Sequence, residues 1–282
     1  MFPRYSSILI NFFLILCLFL CGCDSKSSQN DRIAQLVEQL NGEYEERRSA
    51  SKALVKLGEA SLPALIEATQ AEDSMVRWEV VNALGYIRSP KAIPAVLERA
   101  LMDEDVHTRW RSIWALGRVD DGSAQSLLQK YLTDDNPQRQ WNAAVALSTL
   151  GSKDGLSILH QGLKNGDSWV RWEAANALGR TYDEQTAALL ASAYEDSDTS
   201  IRQEIALSLG RIGSPEAVRT LVKALDDEER EVRWRAAMSL GRIGDKSAAS
   251  ALRARRESET DEFVIEHIEK SLKKINPPQS EN

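Results

Sequence analysis

The sequence has no cysteine after residue 23. Its three cysteines, Cys17, Cys21 and Cys23, all lie near the amino terminus of a chain of 282 residues. The rest of the chain therefore offers no thiol nucleophile, no thiolate ligand for zinc and no partner for a disulfide. Such a body can fold in an oxidising compartment as well as in a reducing one.

Histidines and catalytic motifs are scarce as well. The three histidines, His107, His160 and His267, share no metal-ligand spacing, so we interpret them as solvated or packed residues. No glycine-rich phosphate loop, G-x-S-x-G turn or H-E-x-x-H helix occurs. The sequence predicts no catalytic residue, no metal and no cofactor, and it favours a binding protein over an enzyme.

Long apolar runs are absent except for one near the start. The run from Ile8 to Leu20 follows the basic residue Arg4, and small residues come after it. The run is too short to span a bilayer easily, and the three parts together are typical of a secretory signal peptide. Residues 1–22 are therefore predicted to be a signal peptide.

A lipid-attachment motif follows the apolar run. The stretch LCGC, residues 20–23, resembles the lipobox of bacterial lipoproteins, in which the cysteine after the cleavage point receives the lipid. The resemblance implies that Cys23 is acylated and that the protein lies in the bacterial cell envelope, anchored to a membrane on the extracytoplasmic, periplasmic side. Residues 24–30 are polar and show no apolar pattern, so residues 23–30 are predicted to be the acylated cysteine and a polar tether. The alternative, an uncleaved anchor helix, gives the same topology.

Acidic residues outnumber basic residues in this chain. Lysine and arginine total 35 against 42 aspartates and glutamates, a formal net charge of −7. A net acidic surface repels the phosphate backbone, so no nucleic-acid partner is expected. The hydrophobic fraction of 43% and the charged fraction of 27% are those of an ordinary soluble or repeat protein.

An internal repeat organises the chain after the tether. Leucines recur in an Ala/Ser-Leu-Gly-like step at intervals of 30 to 32 residues: Leu54, Leu84, Leu116, Leu147, Leu178, Leu209, Leu240 and Leu272. Each repeat contains two segments of helical periodicity, with an acidic turn between them in most repeats. A fixed period of this length indicates stacked helix pairs.

The repeated segments resemble a known family. VRWEAANALGRTYDEQ, IRQEIALSLGRIGSPEAV and VRWRAAMSLGRIGDKSAA are similar to the HEAT-like repeats named after the phycobilisome lyases, and the similarity runs from about residue 45 to 275. The resemblance implies an all-α fold, a right-handed α-solenoid of about seven helix pairs with capping helices at both ends. We predict that the solenoid covers residues 31–275, starting with a lone helix, and that residues 276–282 are disordered.

Tryptophans recur on one side of the second helix of the repeats. With Val170 of VRWEAANALGR as position 0, positions 0, 4, 7, 8 and 11 fall on one arc that faces the first helix, and positions 2, 6 and 10 lie opposite. We call positions 2, 6 and 10 of the second helices the tryptophan stripe. By resemblance the stripe faces the concave side of the solenoid. The predicted partner-binding face comprises Trp78, Trp110, Trp114, Trp141, Trp172, Trp234, Asn176, Arg118 and Arg180.

Two interpretations of these tryptophans stay open at this point. The rings either pack in the seam between neighbouring repeats or are exposed and contact a ligand. Position 2 of other repeats holds the polar residues Arg48, Gln203 and Glu266, and this favours exposure.

An arginine column occupies position 1, beside the stripe. It is predicted to form a ladder of arginine–aspartate contacts between repeats rather than a ligand site. The column comprises Arg47, Arg77, Arg109, Arg171, Arg202 and Arg233.

These observations predict an adaptor that binds a protein partner on a tryptophan-rich concave face. The alternatives are binding of a glycan or cell-wall ligand and, by family analogy alone, a bilin lyase-like enzyme. Export argues against a bilin lyase, whose substrates lie in the cytoplasm, and against a HEAT-like DNA glycosylase. The chain also lacks the His-Glu pairs of the HEAT-type deoxyhypusine hydroxylases.

Overall fold

The computed structural model describes residues 27–119 and 122–276, and all regular structure in these ranges is helical. The predicted all-α fold is confirmed. The described chain forms two compact units, which we call unit 1 (residues 27–119) and unit 2 (residues 122–276). The predicted signal peptide, Cys23 and residues 277–282 of the predicted tail lie outside the described residues.

Unit 1 contains six helices. The first starts four residues before the expected position and is followed by a short 3₁₀ turn, Gln39–Asn41. Polar residues such as Ser27 and Ser28 suit this first turn, where the backbone N–H groups have no partner within the helix. The bounds are 27–38 for α1, Tyr44–Leu57 for α2, Leu62–Ala68 for α3, Ser74–Ile87 for α4, Ile93–Met102 for α5 and Val106–Val119 for α6.

Unit 2 contains ten helices. Their bounds are Ser123–Tyr131 for α7, Pro137–Thr149 for α8, Leu156–Asn165 for α9, Ser168–Leu178 for α10, Glu184–Ser192 for α11, Thr199–Ile212 for α12, Pro215–Ala224 for α13, Arg230–Ile243 for α14, Ala249–Ser258 for α15 and Glu262–Ile275 for α16.

Consecutive helices pack in pairs, from α3 with α4 to α15 with α16. Seven such pairs follow α1 and α2 in the described chain, as the period predicts. The even-numbered member is the second helix of each pair, and within each unit neighbouring second helices also pack on each other.

The recurrent leucines form the core of the pairs. Seven of the eight have no solvent exposure, and Leu272 in α16 is half-buried. Burial of one leucine side chain contributes about 1.5–3 kcal/mol, so each repeat contributes to stability through this position. The buried leucines are Leu54, Leu84, Leu116, Leu147, Leu178, Leu209 and Leu240.

Glycines at position 9 allow second helices to approach closely. A Cβ built on Gly179 would lie 2.8 Å from the Cα of Ser208, and one built on Gly210 would lie 3.1 Å from the Cα of Ser239. The serines belong to the next second helix, so a side chain at either glycine would collide with a neighbouring backbone.

Four members of the arginine column form the predicted ladder: Arg77, Arg171, Arg202 and Arg233. Arg77 binds both oxygens of Asp103 in the next turn at 2.8 Å, and its Nη1 donates to the carbonyl oxygen of Ala71 at 2.9 Å. Arg202 and Asp227 repeat this arrangement in unit 2, at 2.9 and 3.0 Å. Each such arginine connects the turn before its own helix to the acidic turn of the following repeat.

Glutamate replaces aspartate at the last step of the ladder. Glu259 accepts hydrogen bonds from Arg233 at 2.7 and 3.0 Å and from Arg255 at 2.7 Å. Burial by itself would raise the pKa of this carboxyl, but the two guanidinium groups outweigh burial and lower the pKa from 4.5 to about 2. The carboxylate therefore remains charged at neutral pH.

Among residues 27–119 and 122–276, no helix combines the length and the apolar character that crossing a bilayer requires.

Candidate partner-binding face

Side-chain caps set the register of the second helices. Asp73 accepts a hydrogen bond from the backbone N–H of Met75 at 2.8 Å, and Asp167 accepts one from Val170 at 2.9 Å. An aspartate in this place satisfies an N–H group that has no partner within the helix, and its charge complements the helix dipole. These caps fix where α4 and α10 begin, and so they also fix which of their residues occupy the tryptophan stripe.

The residues predicted for this face lie where the periodicity places them, at positions 2, 6 and 10. Arg180 is exposed and the other eight are half-buried: Trp78, Trp110, Trp114, Trp141, Trp172, Trp234, Asn176 and Arg118. Half-burial fits neither a fully sealed seam nor a row of free rings.

The contacts of three tryptophans explain why their rings are half-buried. Trp78 lies against Arg111 of the next second helix, Trp141 donates from Nε1 to Glu173 at 2.5 Å, and Trp234 lies 5.2 Å from the ring of His267. In each case the partner occupies position 3 of the following second helix. One side of the ring therefore covers the seam between repeats, while the remainder faces outward.

Unit 1 carries a continuous row of alternating aromatic and cationic groups. The guanidinium carbon of Arg111 lies 4.4 Å from the ring centroid of Trp78 and 4.8 Å from that of Trp114. The guanidinium carbon of Arg118 lies 5.0 Å from Trp114 and 5.1 Å from Tyr86. These separations are within the range of cation–π attraction. We call these five residues the stacked row.

Contacts with α4 hold the stacked row in place. Arg118 Nε donates to the carbonyl oxygen of Gly85 at 3.0 Å, near the end of α4. A Cβ on Gly85 would lie 2.6 Å from the ring of Trp114, so the absence of a side chain lets that ring approach α4. Burial lowers the pKa of Arg111, and its guanidinium has no hydrogen-bond acceptor among the described residues.

A groove of about 580 Å³ lies between α2 and α4, and three residues of the row line it. Tyr44, Arg48, Lys52 and Lys56 of α2 line one wall. The other wall and the floor are formed by residues of α4 and α6: Trp78, Glu79, Asn82, Tyr86 and Arg111. Its walls carry four cationic groups and one carboxylate, whereas the chain as a whole is acidic.

Unit 2 presents a different surface at the same positions. Trp172 stacks on Trp169 with ring centroids 5.5 Å apart, and Asn176 donates to buried Glu204 at 2.8 Å and accepts from Arg180 at 2.9 Å. In α10 the polar groups of the stripe are bonded to each other and to Glu204 of α12. The contrast makes unit 1 the better candidate site.

The sequence reasoning missed Arg111. The stripe was defined by positions 2, 6 and 10, whereas Arg111 occupies position 3, where Glu79, Glu173 and Glu204 are acidic. The replacement of glutamate by arginine beside a tryptophan was the available signal.

No group of three or more His, Cys, Asp or Glu residues is placed to hold a metal ion within the described residues.

Comparison with protein families identifies the repeat. The model of HEAT repeats matches residues 33–117, 93–169, 124–209 and 187–273, and so covers most of the chain. The chain belongs to the HEAT-repeat family. A search of curated proteins found no match.

Solved structures share this HEAT-repeat fold at low sequence identity. A chain of the complex of Kap95p with RanGDP matches at a TM-score of 0.63 and 11% identity, over 92% of this chain and 43% of that one. YibA of E. coli matches at a TM-score of 0.51 and 18% identity, over 88% of this chain and 96% of that one. A chain of the CpcE–CpcF phycocyanin lyase of Nostoc sp. PCC7120 matches at a TM-score of 0.48 and 20% identity, over 86% of this chain and 94% of that one. The likenesses to the Kap95p complex and to YibA concern the fold alone, which hosts unrelated functions.

Proposed function

We propose that this HEAT-repeat protein is an adaptor that binds a protein partner along the tryptophan stripe, with unit 1 as the main contact. The supporting observation is the stacked row, in which Trp78, Trp114 and Tyr86 alternate with two arginines. Tryptophan, tyrosine and arginine are the residues that dominate the binding energy of protein interfaces. Because each group of the row is held by its neighbours, little side-chain freedom remains to be lost on binding.

The proposal includes the location of the adaptor. Residues 1–22 would direct export, and Cys23 would carry the lipid that holds the protein at the extracytoplasmic face of a membrane of the bacterial envelope. The support is the sequence pattern of an apolar run followed by LCGC. A membrane-held adaptor would capture its partner at the envelope and would need no catalytic residue of its own.

A photo-cross-linking experiment tests partner binding. A photoreactive amino acid replaces Asn82, which lines the groove, and cells producing the full-length protein are irradiated. We expect one dominant protein adduct, which mass spectrometry identifies, and we expect Trp78→Ala with Trp114→Ala to reduce it at least tenfold because the anchoring rings are gone. The matched control places the same photoreactive amino acid at Arg253, an exposed position on α15.

Further variants separate binding from folding. Circular dichroism and thermal melting of the double tryptophan variant report loss of structure, and Tyr86→Ala, which alters a ring that is 52% exposed, offers a milder change that should also weaken the adduct. Equal adducts at positions 82 and 253 would contradict the proposal. An adduct with glycan, or pigment bound to the purified protein, would instead support one of the other two functions.

The proposed anchor has its own test. We expect Cys23→Ser to abolish incorporation of a labelled fatty acid and to move the protein out of the membrane fraction, because the acceptor thiol is lost. Cys17→Ser, which alters a cysteine inside the apolar run, serves as the control and should leave both unchanged. An unchanged membrane fraction with normal processing of the Cys23→Ser variant would overturn lipid anchoring.

A further inference from the structure

The groove of unit 1 has a regular spacing of charge on one wall. Arg48, Lys52 and Lys56 follow one another at intervals of four residues along α2. With a rise of 1.5 Å per residue, successive cations lie about 6 Å apart along the helix axis. Side chains on one side of an extended peptide recur about every 6.6 Å, so three alternate side chains would meet the three cations nearly in register.

The opposite wall has aromatic and amide side chains at the same interval of four residues. Trp78, Asn82 and Tyr86 also lie four residues apart, on α4. Side chains that alternate along an extended peptide point to opposite sides. A peptide in the groove would therefore present one set of side chains to the cations of α2 and the other set to the rings of α4.

The cationic side chains of α2 and the amide of Asn82 are available to a ligand. Neither Lys52 nor Lys56 has a carboxylate partner among the described residues, and Arg48 contacts only the hydroxyl and ring of Tyr44. The amide of Asn82 has no hydrogen-bond partner in unit 1, whereas the equivalent Asn176 of unit 2 is bonded to Glu204 and Arg180. An unbonded amide between two aromatic rings can pair with the N–H and C=O groups of a peptide backbone.

We propose that this groove binds an extended acidic peptide segment with carboxylates at alternate positions and apolar or aromatic side chains between them. The inference rests on the proposed function, since it specifies the protein partner's contact segment. Carboxylates at alternate positions pair with Arg48, Lys52 and Lys56, and the intervening side chains pack on Trp78 and Tyr86. Asn82 bonds the backbone between them.

Charge favours a peptide over a polyanion. The formal net charge of −7 repels a long uniformly charged chain such as a nucleic acid or a sulfated glycan, whereas a short acidic segment meets only the cationic groove. The tyrosine and tryptophan rings in the wall also need apolar partners, which a polyphosphate does not offer.

Fluorescence anisotropy tests the proposal on the full-length protein in detergent. The probe is a fluorescein-labelled peptide of alternating glutamate and tyrosine, and the comparison peptide has glutamine in place of glutamate. We expect the glutamate peptide to bind at least tenfold more tightly than the glutamine peptide. We expect Lys52→Glu with Lys56→Glu to weaken its binding at least tenfold. A matched control, Lys130→Glu with Arg253→Glu, makes the same change in net charge at exposed positions outside the groove and should leave the affinity within twofold.

The outcomes distinguish this inference from the proposed function. Equal binding of the two peptides, an equal loss in the control variant, or tight binding of dextran sulfate with no peptide binding would each overturn the acidic-peptide inference. Should the cross-link at position 82 persist in those cases, the adaptor function stands and only the chemistry of the contact segment is wrong. If the protein bound neither peptide and gave no cross-link at position 82, the acidic-peptide inference and the adaptor function would both be overturned.

Discussion

Replacement of Asp227 by alanine is expected to lower the free energy of unfolding of unit 2 by about 3–5 kcal/mol, because it removes one partner of a buried ion pair. Asp227 accepts from Arg202 at 2.9 and 3.0 Å and from the hydroxyl of Tyr194 at 2.5 Å. The exposed fractions of the two paired side chains are 9% for Arg202 and 6% for Asp227. Without the carboxylate, the guanidinium stays desolvated and the hydroxyl loses its acceptor.

Glu228→Ala is the matched control. Glu228 is adjacent in sequence and lies 3.4 Å from the same guanidinium, but its side chain is 82% exposed. A surface ion pair of this kind contributes about 0–1 kcal/mol. Urea unfolding, with amide hydrogen exchange to localise the loss to α12–α14, measures both variants. Similar small losses in the two would show that the ladder does not stabilise the repeat stack.

A bulky residue at Gly210 is expected to be nearly as damaging. Gly210→Leu places a branched side chain against Ser239 of α14, where even a Cβ would lie 3.1 Å from the Cα. The second helices must then move apart or α12 must distort, and we expect a loss of about 3 kcal/mol or more, at the upper end of overpacking costs. Thermal unfolding and hydrogen exchange of α12 and α14 measure the effect.

A compensating variant shows whether the collision is the cause. Gly210→Ala should be destabilised less than the leucine variant, and adding Ser239→Gly should recover part of the loss because the opposing Cβ and hydroxyl are removed. Arg253→Leu controls for a leucine at an exposed helix position and should change stability by about 0.5 kcal/mol or less. Failure of the serine change to recover stability would mean that packing between α12 and α14 does not limit residue size at Gly210.

Much of the candidate site follows from helical periodicity. A residue two positions after the leading valine must lie opposite the buried arc, so the side of the helix that Trp78 and Trp172 occupy was predictable from a single helix. Arg111 was not, because its role depends on the rotation and spacing of α6 against α4. Those are set by side chains on two helices together, with Gly85 allowing the close approach of Trp114.

The same distinction separates the two tryptophan–asparagine pairs. Trp78 with Asn82 and Trp172 with Asn176 have the same spacing in sequence. Their surroundings differ, because Asn176 meets a glutamate of the next repeat while Asn82 faces a groove lined by cations. A single repeat cannot show which neighbour stands opposite its stripe.

The sequence by itself determined the all-α repeat, its period of about 31 residues, the buried leucine position and the arginine ladder. Each of these depends on the pattern within one helix pair or on charge recurring at a fixed interval. Only the tertiary structure decided that the tryptophans cover the seam with one side of the ring, that Arg111 joins them and that unit 1 has a cationic groove. The physical reason is that such features arise between helices, where packing distance and rotation decide which side chains meet.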